Sequence, residues 1–242
     1  MYQAAIIFII FVAVRLITGG AVFINWRKTG KKNLLILLIY FLVNANSLIF
    51  LILENLWIYD LSSITALIVI LVFIDRTFYK DRTSPFKLLL ILSFILGGLV
   101  IAFNLIREFS ILQPEVAFFI HNIFIGGLFL IYGSWSLIAS GKSLRSFISS
   151  QAVEPWVKGR YKLVIFYSCS IIIVGLLTPF TPLEGTINWS LLILTVVNVL
   201  RITGEALAWI MPNFLKKYYN RGYISPVMIE ELSEDEITEG MI

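Results

Sequence analysis

Residues Trp189–Met211 read WSLLILTVVNVLRITGEALAWIM. The run matches the roughly 20 apolar residues that a helix needs to cross a bilayer, yet it carries Asn198, Arg201 and Glu205 in its interior. A charged side chain at the bilayer centre costs about 2.5–3.5 kcal/mol on insertion scales. Residues 198, 201, 205 and 209 follow i, i+3, i+7, i+11 spacing, so they share one helical face. That face is expected to turn away from lipid, towards other helices or water. Arg201 and Glu205 stand one turn apart and are positioned to pair with each other.

The rest of the 242-residue chain sets this helix in a membrane. Hydrophobic residues make up 59% of it, charged residues only 14%, and its mean hydropathy is +0.90. Soluble domains carry about 25% charged residues, so a chain this apolar must use lipid as its solvent. Seven segments are long enough to span: roughly Ala4–Ile24, Leu34–Leu53, Trp57–Ile74, Phe86–Ile106, Val116–Ala139, Leu163–Phe180 and Trp189–Met211. All seven prolines fall in connections or at span ends, where a missing N–H costs least. The expected fold is all-α: a polytopic bundle of seven transmembrane helices over 1–212. A tail over 213–242 follows, basic and then acidic.

Charge orients the bundle. Arg27, Lys28, Lys31 and Lys32 follow span 1, and Arg76, Lys80, Arg82 and Lys87 follow span 3. Lys142, Arg145, Lys158, Arg160 and Lys162 follow span 5; Lys216, Lys217 and Arg221 follow span 7. Sixteen of the 19 basic residues thus share one side, against Arg107 with Glu54, Glu108, Glu115 and Glu184 on the other. The positive-inside rule makes the basic side cytoplasmic and the N-terminus external, as expected of a multi-pass protein of the cell membrane. Trp57 and Trp189 fall at the outer boundary and Trp26 and Trp209 at the inner one, as interfacial anchors do. The basic excess is explained by topology, so nucleic acid is not an expected partner. Span 1 lacks a basic n-region and a small-residue cleavage site, and reads as a retained span.

Polar residues at depth mark the candidate site. Arg15 lies near the middle of span 1, Asn44 and Asn46 near the middle of span 2, and Asn198 and Arg201 near the middle of span 7. Glu205 is a turn closer to the cytoplasm; Asp60, His121 and Asn122 are nearer the outer surface. If Arg201 takes Glu205, Arg15 is left to find Asp60 or Glu205. Arg15, Asn44, Asn46, Asp60, Asn198, Arg201 and Glu205 therefore form either a ligand-binding site or an ion-pair network that fixes packing, since intramembrane charges are functional candidates. The pairs Gly19-Gly20, Gly97-Gly98 and Gly126-Gly127 are read as close helix crossings.

Enzymatic and metal chemistry find little support. The single Cys169 and single His121 lie on different spans, with no HExxH, GxSxG or paired intramembrane aspartates. No ligand-type residue stands at metal spacing from His121, so neither a cofactor nor a metal is expected. The number and orientation of the spans resemble those of microbial rhodopsins, and LWIYDLSSITALIVIL in span 3 loosely resembles their counter-ion helix. No lysine lies in the interior of a span, Lys87 being the second residue of span 4 at its basic end, which excludes the Schiff base that retinal requires. YKDRTSP (Tyr79–Pro85) and YYNRGYISP (Tyr218–Pro226) end spans 3 and 7 alike, a topological likeness to the 3+1+3 sugar transporters of the PQ-loop type. Fold-level likeness does not carry function.

Three functions remain, the last being a structural or assembly protein whose polar residues serve only packing. The first is a receptor-like or sensory protein that binds a small or lipidic ligand between helices. It would signal through a separate cytoplasmic partner at the basic connection Ser140–Tyr161 and the C-terminal tail. The second is a small-solute or ion transporter that uses the same charges.

Overall fold

A computed structural model describes residues 2–79, 83–148, 153–181 and 189–223, with side chains from Ile7 onward. Eight α-helices follow in chain order: α1 Tyr2–Thr29, α2 Lys32–Ile52, α3 Leu56–Phe78, α4 Phe86–Glu108, α5 Pro114–Ile148, α6 Pro155–Leu177, α7 Trp189–Ile210 and α8 Asn213–Tyr219. A single 3-10 turn, Thr178–Phe180, extends α6, and no strand occurs among the described residues. Helices α1 to α7 are each long and apolar enough to cross a membrane. The chain is a multi-pass membrane protein.

The connections explain why neighbours pack in sequence. Gly30 caps α1 at φ +64°, and its N–H donates to Trp26 O at 2.8 Å. A left-handed residue there reverses the chain without a Cβ clash. The α2–α3 turn spans three residues, 53–55, and Asn55 Oδ1 caps α3 by accepting from Ile58 N at 3.2 Å. Pro114 and Pro155 open α5 and α6, where a proline's missing N–H is harmless. Each helix packs on the next, α7 returns to α1, and α3 also touches α5. The seven helices thus close into a ring.

The two ends of this ring differ. At the amino-terminal end α1, α3, α5 and α7 begin; at the basic end they finish. Most large buried hydrophobics lie towards the basic end: Leu37, Tyr40, Phe41, Ile70, Phe73, Ile74, Tyr132, Trp135, Tyr167 and Ile171. Small residues draw α5 against α6. A Cβ on Gly126 would stand 2.5 Å from Gly175 O, and one on Gly133 would stand 2.8 Å from Ile172 Cγ1. Of the glycine pairs, Gly19, Gly97, Gly126 and Gly127 pack against neighbouring helices, whereas Gly20 and Gly98 face open space.

Three expectations change. The basic segment Ser140–Tyr161 is largely helix: α5 runs on to Ile148 and α6 starts at Pro155. At 1.5 Å per residue α5 is about 52 Å long, well beyond the roughly 30 Å hydrocarbon core. Hydropathy marks where lipid ends, not where hydrogen bonding ends. The segment after span 7 begins as α8, folded back onto α6: Asn220 Oδ1 accepts from Trp156 N at 3.0 Å, and Tyr219 packs on Gly159. Trp209 is no interfacial anchor, because it packs edge-on against Phe73 with a buried, unpartnered indole N–H. Glu184, Lys80, Arg82, residues 149–152 and the acidic tail 224–242 lie outside the described residues.

Candidate functional site

Arg15, midway along α1, is 1% exposed, and Glu205 on α7 is fully buried. Arg15 Nη1 donates to Glu205 Oε2. The Arg15 guanidinium also lies 5.8 Å from the centroid of Tyr40 and 5.6 Å from that of Phe41. The pair joins the two helices whose contact closes the ring. The two charged groups share one hydrogen bond, and Arg15 Nε and Nη2 and Glu205 Oε1 make none of their own. A buried pair of this kind contributes little net stability, but removing one partner costs about 3–5 kcal/mol.

The expected Arg201–Glu205 pair is therefore not formed. Helical side chains lean towards the N-terminus of their helix, and Arg201 lines the cavity beside Asn198, with Glu205 within electrostatic reach but not in contact. An acid placed C-terminal to its base is also the weaker i,i+4 order. Arg15 instead reaches Glu205 from the neighbouring helix. Among the described residues Arg201 has no ion-pair partner, and its Nε is buried with no hydrogen bond. Its guanidinium stands 5.9 Å from the Phe129 ring centroid. A cation–π contact of about 0.5–2 kcal/mol does not offset the cost of about 2.5–3.5 kcal/mol for placing the charge there.

What Arg201 faces is a cavity of about 380 Å³ in the amino-terminal half of the ring. It runs from the level of Leu56, Arg107 and Thr181 at the helix ends down to Arg201, about 18 Å below the start of α7. Its walls are mainly apolar, with Phe8, Phe11, Ile125 and Phe129 prominent, and Asn198, Thr195 and Thr178 line it beside Arg201. Asn198 Nδ2 donates to Leu194 O at 3.0 Å and Thr195 Oγ1 to Leu191 O at 2.8 Å.

A second polar cluster borders the same cavity nearer its mouth. Asp60 Oδ2 on α3 accepts from Asn104 Nδ2 on α4 and lies 3.0 Å from His121 Nε2 on α5. His121 Nδ1 lies 3.2 Å from Asn122 Oδ1, and Asn122 Nδ2 donates to Thr181 Oγ1 at 2.9 Å. The cluster stitches α3, α4, α5 and the end of α6 together. Asp60 is committed here and does not reach Arg15.

Of the seven residues singled out in the sequence, Asp60, Asn198 and Arg201 line the cavity, and Arg15 and Glu205 form the pair beneath it. Asn44 and Asn46 do not line it. Asn46 is exposed on the bundle surface and donates to Ser62 Oγ at 3.3 Å. Tyr59, Asn104, Phe129 and Thr195 were missed. Asn104 carries the same signal as Asn198, an amide inside a span, whereas one aromatic or hydroxyl residue among many in apolar helices carries none, and only the assembled ring selects the other three. Among the described residues no three His, Cys, Asp or Glu side chains gather at one point. No known protein family matches the chain, and no curated protein or solved structure is significantly similar to it.

Proposed function

We propose that the protein is a receptor-like membrane protein that takes a small ligand into the amino-terminal chamber. The observation that carries this reading is Arg201, an unpartnered cation facing a cavity one turn away from the acid that locks α7 to α1. A ligand gripping Arg201 pulls on the helix whose next turn holds the ring closed, so binding and helix position are linked. The basic end is cytoplasmic on this reading, the N-terminus is external, and the protein resides in the cell membrane. A shift of α7 reaches α8, which begins after Pro212 and rests on α6. A separate cytoplasmic partner reads that shift at the extended end of α5, the start of α6 and the tail. No catalytic role is proposed.

The test is accessibility. In a Cys169→Ala background, Thr195→Cys is expected to react with an impermeant thiol reagent added from the external face. Ser168→Cys, in the packed basic half, is expected to react from neither face. Failure of Thr195→Cys to react from outside overturns the reading. Reaction of Ser168→Cys from the cytoplasmic face, together with solute uptake into vesicles, makes the protein a transporter using the same charges.

A further inference from the structure

We infer that the ligand of the chamber is a small amphipathic carboxylate, with its headgroup held by Arg201 and its apolar body directed towards the amino-terminal end; this rests on reading the chamber as a ligand site. Charge leads to the headgroup. Around the floor stand two guanidinium groups, Arg15 and Arg201, and one carboxylate, Glu205, which Arg15 occupies. The other acid on the chamber wall, Asp60, is engaged by Asn104 and His121. Among the described residues Arg201 is thus the floor cation with no ion-pair partner, and an anion brought into the chamber completes it.

Shape narrows the class. A guanidinium presents a planar fork of N–H donors that matches a carboxylate bidentately. Asn198, on the same helical face, keeps one amide hydrogen beyond its bond to Leu194 O. Phe11, Ile125, Phe129, Val174 and Leu194 offer hydrocarbon to the rest of the ligand. A cavity of about 380 Å³ sits at the small end of ligand pockets, which run from about 300 to 1,000 Å³. A short alkyl or aryl acid fits that space, and a two-chain lipid does not.

The full chain in nanodiscs of zwitterionic phosphatidylcholine, titrated calorimetrically, decides the matter. Octanoate is expected to bind at least ten times more tightly than octanol or octylammonium. Arg201→Gln is expected to abolish that preference while its melting temperature holds or rises, because an unpaired buried charge has been removed. A merely structural arginine would lower the melting temperature. Arg201→Lys, which keeps charge but loses the fork, is expected to retain only part of the preference. Hexanoate and palmitate separate an aqueous ligand from one drawn out of the bilayer; binding of palmitate alone overturns the small-ligand claim. Equal binding of octanoate and octanol by the unaltered chain overturns the carboxylate and leaves the chamber standing. Absence of binding by every probe overturns the ligand class, and labelling of Thr195→Cys then reports separately on the chamber.

Discussion

The two halves of the ring contain the same ingredients and use them differently. In the basic half an arginine and a glutamate meet, the rings of Tyr40 and Phe41 stand beside the guanidinium, and large hydrophobics such as Leu37 and Phe41 are fully buried. In the amino-terminal half Arg201 meets no acid among the described residues, and the space beside it is a cavity. Both arginines sit deep in hydrocarbon, and among the described residues only Arg15 has a counter-charge in contact. A charge that the fold has paired is part of the packing. A charge that the fold has left unpaired beside a cavity is poised for something else.

The sharpest way to break that contrast is Glu205→Gln. It strips Arg15 of its counter-charge inside the packed half, and stability should fall by about 3–5 kcal/mol, read as a large drop in melting temperature. Arg15→Met combined with Glu205→Leu removes both charges and should stay within about 1 kcal/mol of the parent chain. If the single and double variants melt alike, the ion pair is not what the packed half depends on.

Next in size is the α5–α6 crossing. Gly126→Ala sets a methyl against Gly175 O, where a Cβ would stand 2.5 Å away. Backbone cannot rotate aside as a side chain can, so the helices must separate, at a cost of about 1–3 kcal/mol. Gly98→Ala meets nothing within 4 Å and should be neutral or slightly stabilising, since alanine favours helix by about 1 kcal/mol over glycine. Equal melting temperatures for the two would deny the close crossing.

Arg201→Met probes the other half and should act with the opposite sign. Removing an unpaired charge from hydrocarbon should raise stability by about 0.5–2 kcal/mol, the usual range when a functional residue is replaced by a stabilising one. Thermal unfolding and octanoate titration on the same sample would show a gain in one and a loss in the other. A fall in melting temperature would place Arg201 with Arg15, as packing.

These sites were legible to different depths in the sequence. The seven spans follow from length and apolarity, because a segment satisfies its own backbone in lipid only as a helix. The inward face of α7 follows from periodicity alone, since residues 199, 200 and 203 are exposed while 202, 204 and 205 are buried. Partner choice was not legible. Arg201 and Glu205 are neighbours in sequence, but Glu205 is taken by a residue 190 positions away. Asp60 is likewise taken by Asn104 and His121, from helices whose approach no local pattern encodes. The end of α5 was hidden because composition reports the membrane boundary and a helix can continue past it into water.

Asn46 supplies the smallest effect and the finest edge to the comparison. By depth it belongs with Arg15 and Arg201, yet it lies exposed on the outer surface of α2 and reaches only Ser62. Side-chain hydrogen bonds between membrane helices average about 0.6 kcal/mol, and replacing the amide with leucine on a lipid-facing surface returns part of that. Asn46→Leu should therefore shift stability by less than about 0.5 kcal/mol and leave octanoate affinity unchanged. A measurable loss of affinity would mean that depth, not the direction a residue faces, decides membership of the site. The separation of an empty half from a packed one would then have to be redrawn through α2.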